Sequence, residues 1–466
     1  MNQAAEAGER PARRRLATVD ETDDASRTTT LYSIIASPNP FRERWYPVAP
    51  IADLPRGRPY GIELFNTPLV VFWDAQHERW RCLLDRCKHR AVSLSCGKLG
   101  KDGSLRCLYH GWTYDGDGRC IDIPSVPGFK PQEKLKVDHF AVQEHARILW
   151  VFAGHPEQAN PGALPELPWQ DPSYYACLFV RDTEFDWLIY NEHNLDRDHL
   201  QFAHPKTLGH MPPAKAFPER VRNGARESGL FYRQAVGKGA ATQEARSAFF
   251  PPSTTLASVQ TEGKSVGISF TVSPLGYGRC RVIFLLYASK RIPVPDFMFH
   301  LTFARVTEED AVLIRSQMAH LAQSDLHPDE LFANVGQDIV VRDYRAWLRS
   351  TGGTFWQREL NQRVRGERAP QARTLAPESA SLYRKWEGQM HLANRQEQHF
   401  KICRTCQRAY RGFAVARAAA ALLVALLCIA ASRADSAVWL LIAAVLPAGL
   451  GLVSDHFARA LKGRRF

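Results

Sequence analysis

Hydrophobic and polar positions divide the chain into stretches of different period. Residues 1–40 carry no apolar repeat and predict a flexible, soluble arm. Between Phe41 and about residue 155 the apolar runs are short: "RWYPVAP", "PLVVFWD", "RWRCLLD" and "ILWVFAG", separated by turn-forming clusters. That spacing predicts an all-β unit, a sandwich or small barrel, over 41–155. From 156 to 400, Pro-rich connections lead into longer, mixed patterns. "FDWLIYNEHNLDRDHLQFAH" predicts one helix, and "VGISFTVSPL" and "RCRVIFLLYA" predict strands. "EDAVLIRSQMAHLAQ", "LFANVGQDIVVRDYRAWL" and "SLYRKWEGQMHLANRQEQHF" predict helices by apolar spacing. The fold class is therefore α+β, a β domain followed by a mixed α/β domain.

The last stretch differs in kind. "AVARAAAALLVALLCIAAS" and "AVWLLIAAVLPAGLGLV" are apolar on every face and joined by "RADS". Each is close to the shortest length that crosses a bilayer. Arg404, Arg408 and Arg411 precede them, and Arg459, Lys462, Arg464 and Arg465 follow. Basic flanks on one side predict a transmembrane hairpin over 413–454 with a basic tail, 455–466; Arg417 lies where it can snorkel. A buried helical pair in a soluble core is the alternative.

Composition sharpens this only in part. The formal net charge is +12, which suits nucleic acid or an anionic membrane surface. With the hairpin present the membrane accounts for it, and no nucleic-acid partner is expected. Residues 1–17 are the segment that could serve as a transit peptide; acids from Asp20 to Asp24 spoil the pattern beyond it. The ten cysteines are not spaced like a secreted disulfide scaffold.

Four residues supply the first candidate chemistry: Cys87-x-His89 and Cys107-x-x-His110. Each arm brings one thiolate and one imidazole. Zinc knuckles usually pair Cys with Cys and His with His. The split set suits a [2Fe-2S] cluster with both thiolates on one iron and both histidines on the other. A second set, Asp196-x-x-His199-x4-His204, has the two histidines and carboxylate of a facial site for Fe(II), provided the helix bends or ends after Phe202. A third, Cys403-x-x-Cys406 in segment 401–412, is redox-active, metal-binding or incidental; without a partner pair, zinc is the weaker reading.

From Phe41 to Arg408 the sequence resembles the Rieske non-haem iron oxygenases, with both metal motifs in the expected order. The resemblance implies a Rieske domain holding a [2Fe-2S] cluster on Cys87, His89, Cys107 and His110. It implies a catalytic domain with mononuclear Fe(2+) on His199 and His204. Asp196 would then bridge a cluster histidine and an iron histidine of neighbouring subunits in a homotrimer. The third iron ligand is expected far downstream at Asp338, with Asp343 in reserve. The family often has Asn where this chain has His193, which is assigned a hydrogen-bonding role beside the iron. "RWYPV", "LYHGWTYDGDGRCIDIP" and the C-terminal C-x-x-C before membrane spans are similar to the chlorophyll-metabolism branch. That implies O2 and ferredoxin as co-reactants and a hydrophobic tetrapyrrole substrate at a chloroplast or cyanobacterial membrane. Cys403 and Cys406 are expected to form a redox pair open to thioredoxin. The rival classes are a Rieske electron carrier without oxygenase chemistry and an oxygenase of another hydrophobic substrate such as a sterol. The carrier's usual Gly-Cys after the first histidine and N-terminal anchor do not appear here.

Overall fold

The computed structural model describes residues 41, 43–208, 211, 213–221, 229–237, 242–261, 264–333, 336–366, 394–431 and 437–463. The N-terminal arm, most of the helix expected over 381–400 and the "RADS" link lie outside the described residues.

The first unit is all β, as its short apolar runs predict. Its first strand, Trp45–Pro50, pairs antiparallel with its last, Ile148–Phe152, so the two ends of the unit close on each other. A four-stranded sheet follows, from Tyr60–Leu64, Thr67–Asp74, Arg79–Leu84 and His139–Phe140. The hairpin between its first two strands turns at Phe65 and Asn66, which both have positive φ, 52° and 59°. Two such residues give a turn whose twist matches that of the strands. The tip of this hairpin docks on the next domain, where Phe65 N–H donates to the Pro274 carbonyl at 2.8 Å and Asn66 N–H to that of Leu275 at 2.7 Å. A smaller four-stranded sheet, with strands at Lys98–Leu99, Leu105–Arg106, Thr113–Tyr114 and Cys120–Asp122, carries the metal-motif loops.

The second unit is built on a seven-stranded antiparallel sheet. Tyr175–Thr183 forms one edge beside Arg279–Ala288, then Lys264–Gly276, Thr254–Thr261, Gln243–Phe250, Leu230–Val236 and Glu219–Arg220. Helices α1 (Trp187–Leu195), α2 (His199–Ala203), α3 (Asp296–Ser324), α4 (Ile339–Ser350) and α5 (Gly353–Gly366) complete it. The single helix expected over 185–204 is two. It breaks at Asp196, whose carboxylate accepts from the Asp198 N–H at 2.9 Å and competes with the helical bond.

A buried ionic network ties the sheet to the helices. Arg181 is 1% exposed and donates to Glu308 Oε1 at 3.0 Å, Thr307 Oγ1 at 3.0 Å and the Ala304 carbonyl at 2.9 Å. Arg395 grips the same carboxylate through two nitrogens, at 2.9 and 2.7 Å. Burial alone would raise the Glu308 pKa, but the two guanidiniums outweigh it and hold it below the ordinary carboxylate range. Its contribution is therefore present at neutral pH and lost as pH falls through that depressed pKa. Glu308→Ala leaves Arg181 buried without its anion and is expected to cost about 3–5 kcal/mol, measurable by urea unfolding at pH 7.

The C-terminal helices α6 (Arg404–Ala431) and α7 (Ala437–Leu461) pack side by side. Arg417 pairs with Asp455 at 2.5 Å, and a Cβ on Gly451 would sit 3.5 Å from that of Ala420. Moving toward the link from 417 to 420 on one helix moves the partner from 455 back to 451 on the other, so the pair is an antiparallel hairpin. Among the described residues one helical stretch, Arg404–Ala430, is long and apolar enough to cross a membrane, with only 6% of its most apolar window buried. Leu422, Leu426, Leu446 and Leu452 are more than half exposed, an apolar surface of the kind that soluble proteins cover.

Candidate metal centres

The two arms of the first motif fold into the same loop twice. Cys87 N–H donates to the Val92 carbonyl at 2.9 Å and accepts on its own carbonyl from Ala91 N–H, also at 2.9 Å. Cys107 repeats this with Trp112 at 2.8 Å and Gly111 at 3.1 Å. Each loop needs a left-handed residue four positions after its cysteine, and these are Ala91 (φ 56°) and Gly111 (φ 75°). Ala91 is exposed, so its methyl adds strain without compensating burial. Ala91→Gly is expected to stabilise this loop by about 0.5–1 kcal/mol, read as a raised midpoint for thermal loss of the visible absorbance.

The loops bring the four donors together. The His89 and His110 rings are 4.6 Å apart between centroids, and His89 stacks on Trp112 at 4.8 Å. Cys87 and Cys107 are buried and adjacent, and Tyr114 Oη lies 3.2 Å from Cys87 Sγ. His89 Nδ1 is buried with no hydrogen-bond partner among the described residues, an orphaned polar atom that a bound metal would satisfy. The set therefore fits a [2Fe-2S] cluster. His110 is exposed, as are Leu108 and Tyr109 beside it.

The second centre lies between α1, α2 and α3. His193, His199, His204 and Asp310 offer donor atoms that all lie within 4.8 Å of one another. His199 Nδ1 is 2.5 Å from the Asp196 carbonyl, which directs Nε2 into the site. His204 Nδ1 is 2.8 Å from Glu309 Oε2, which fixes its ring in the same sense. Glu309 is itself held by Thr207 and Arg305, at 2.9 and 3.0 Å. His204 Nε2 lies 2.8 Å from Asp310 Oδ1 yet makes no hydrogen bond there. A buried ring nitrogen and a carboxylate oxygen this close, with no hydrogen bond between them, suit an ion that both could bind. Burial, with His193 beside it, pushes His199 down to about 3, so its imidazole is neutral and able to donate a lone pair. These residues fit a mononuclear iron.

The structure departs from the sequence reading at the third ligand. Asp338 stands at the N-cap position of α4 and lies near Asp196, outside the donor set. Asp343 is bound to Arg220 at 2.5 and 2.6 Å and to Tyr232 at 2.6 Å. Neither reaches the histidines. Asp310 does, from the middle of α3, where "TEEDAV" interrupts an apolar stretch with three acids that are all buried. Buried acids inside a helix were the available signal. His193, given a hydrogen-bonding role, is itself a member of the donor set through Asp310 at 2.9 Å. Asp196 is exposed, and among the described residues no hydrogen bond joins it to His89 or His110 of the same chain. Cys403 and Cys406, expected within reach of a reductase, are 0% and 1% exposed.

A cavity of about 550 Å³ opens against this centre. Phe270, Phe284, Phe299, Phe303, Leu256 and Ile268 wall it, and His199, His204 and Asp310 form part of its lining. Arg197 is the one Arg or Lys among the described lining residues. An apolar chamber with a few convergent polar groups is the usual form of a small-molecule site.

Comparison with known proteins agrees with this geometry. The Rieske [2Fe-2S] domain family matches residues 44–140. Protein TIC 55, chloroplastic, from Arabidopsis thaliana is 28% identical over 436 residues, 86% of this chain and 79% of that protein. Pheophorbide a oxygenase, chloroplastic, from the same organism is 26% identical over 415 residues, 80% of this chain and 73% of the other. Dicamba monooxygenase bound to dicamba shares the fold, with a TM-score of 0.59 at 20% identity over 68% of this chain and 98% of that one. With its Rieske [2Fe-2S] domain and relatives that match it over most of its length, the chain is a Rieske-type oxygenase similar to pheophorbide a oxygenase and TIC 55.

Proposed function

We propose that the chain oxygenates a chlorophyll-derived tetrapyrrole, pheophorbide a or a related chlorin, using O2 and electrons from a ferredoxin. The observation that carries this reading is the phenylalanine-walled cavity against His199, His204 and Asp310. Flat aromatic walls favour a planar, apolar substrate, and Arg197 at the same cavity suits a substrate that also bears a carboxylate. The name of the pheophorbide a oxygenase relative supports the same class.

When bound, the cluster on Cys87, His89, Cys107 and His110 supplies single electrons, and the iron on His199, His204 and Asp310 activates O2. The chain's own groups prepare that chemistry. Glu309 and the Asp196 carbonyl orient the two iron histidines, and His193 stands as a further donor. The cavity walls exclude water from the reacting carbon. Exposed Asp196 and exposed His110 support a bridge between subunits of a homotrimer, with Leu108 and Tyr109 covered in the assembly. The α6–α7 hairpin would hold the body at a membrane where chlorins partition, in a chloroplast or cyanobacterial membrane with the body facing stroma or cytoplasm.

The test is turnover of a panel of pheophorbide a, protochlorophyllide, a phyllobilin and a sterol by the full-length enzyme with reduced ferredoxin and labelled O2. Incorporation of labelled oxygen into a chlorin is the expected result. Incorporation only into the sterol would overturn the substrate class.

A further inference from the structure

Cys403 and Cys406 do not stand alone. His300, from the first turns of α3, and His399, from a turn of π-helix just before the cysteines, complete a second buried donor group in which all four ligand atoms lie within 4.8 Å of one another. All four residues are 2% exposed or less. The Cys403 and Cys406 sulfurs lie 3.4 and 3.3 Å from the same nitrogen, His300 Nδ1, and Cys406 Sγ is 3.2 Å from His399 Nε2. Hydrogen bonding explains pairs, but one ring nitrogen has one direction in which to donate or accept, and here two sulfurs converge on it. Convergence on a shared centre is what a tetrahedral ion requires. With ordinary Zn–S and Zn–N lengths, the sulfur–nitrogen edges of such a tetrahedron are about 3.5 Å.

We infer that His300, His399, Cys403 and Cys406 form a closed structural site for a tetrahedral divalent cation, Zn(II), separate from both iron centres. Three further features support it. His399 Nδ1 is bound to the Val180 carbonyl at 2.6 Å, so its tautomer and ring plane are set and Nε2 faces the sulfurs. The Cys406 N–H donates to Cys403 Sγ at 3.5 Å, which holds that sulfur in place beside the second one. The site is enclosed: Phe297, Leu301, Phe400 and Leu461 pack around it, and all four donor residues are buried. Two thiolates and two imidazoles on a buried, closed site are a zinc-type donor set, and the borderline-soft ion has no geometric preference that the chain must oppose. Its ligands come from α3, the π-turn and the base of α6, while Asp53 of the β domain accepts from the Arg404 N–H at 2.7 Å beside them. The ion would pin the foot of the C-terminal hairpin to the catalytic domain.

The test is metal analysis of the detergent-purified full-length chain, gel-filtered in chelator, for wild type and for Cys406→Ser, His399→Ala and His204→Ala. One zinc per chain is expected alongside the iron, lost in Cys406→Ser and His399→Ala with the Rieske spin-resonance signal intact, and kept in His204→Ala. A wild-type chain without zinc, zinc lost in His204→Ala instead, or an isolated Cys403–Cys406 disulfide would each overturn the site. Should the cysteine and histidine variants not fold, cobalt-grown wild type decides: thiolate-to-cobalt charge-transfer bands support the site, and their absence overturns it.

Discussion

Asp310→Ala is expected to empty the mononuclear site and lower product formation by more than about a hundredfold, leaving the Rieske signal unchanged. The reason is local. Asp310 Oδ1 stands 2.8 Å from His204 Nε2 and 2.9 Å from His193 Nε2, and it is 1% exposed. Removing it strips the one carboxylate from the donor set and leaves only neutral imidazoles around a divalent ion. Its folded-state pKa is driven far below the ordinary range: burial opposes this, but His193 and His204 outweigh it. It is therefore ionised, as a ligand must be. Asp338→Ala, which changes the residue at the N-cap position of α4 outside the set, should keep the iron. Iron counting on both variants separates the assignments. Full iron in Asp310→Ala with loss in Asp338→Ala would restore the downstream aspartate.

Asp196→Asn should keep both metals and slow reoxidation of the reduced cluster, in the presence of substrate and O2, by about 10–100-fold. Asparagine preserves size and leaves the backbone carbonyl that holds His199 Nδ1 in place. What it removes is the negative charge of a carboxylate on an exposed surface, at the break between α1 and α2. If that carboxylate accepts from an imidazole on each side, one in its own chain and one in a neighbour, the amide nitrogen repels one of them. Stopped-flow reoxidation gives the rate, and iron analysis shows that the centre is loaded. Wild-type reoxidation with full iron would remove the bridge.

The parts of the sites that were legible in the sequence are those made by neighbours along the chain. Cys87 and His89, or Cys107 and His110, sit within single loops, so their spacing carries the geometry. His199 and His204 are also local, and the need for a helix end was legible: the helix stops at Ala203, just past Phe202, with a further break at Asp196. Partners that depend on which helix crosses which were not legible. Asp310 meets His204 only because α3 runs past α2, and nothing in "GQDIVVRD" marks Asp338 as lying outside the donor set. His300 lies about a hundred residues before Cys403 and appears as one polar position in an aromatic helix. In the β architecture the apolar runs of 266–288 were visible. The strands Leu230–Val236, Gln243–Phe250 and Thr254–Thr261 were not, because small and charged residues there blunt the two-residue alternation.

Glu308, Glu309 and Asp310 are consecutive, yet they face three different groups: the arginine pair, and then the two ring nitrogens of His204, Nδ1 and Nε2. Each step along a helix turns the side chain by about 100° and advances it by about 1.5 Å. His300, two turns earlier on the same rod, is fixed by its own cluster. One residue inserted between His300 and Glu308 would swing all three acids away from their partners together, a fault that no repacking at one position could mend. Surface loops commonly tolerate a change of length, but the distance from His300 to Asp310 is counted, like the teeth between two meshed gears.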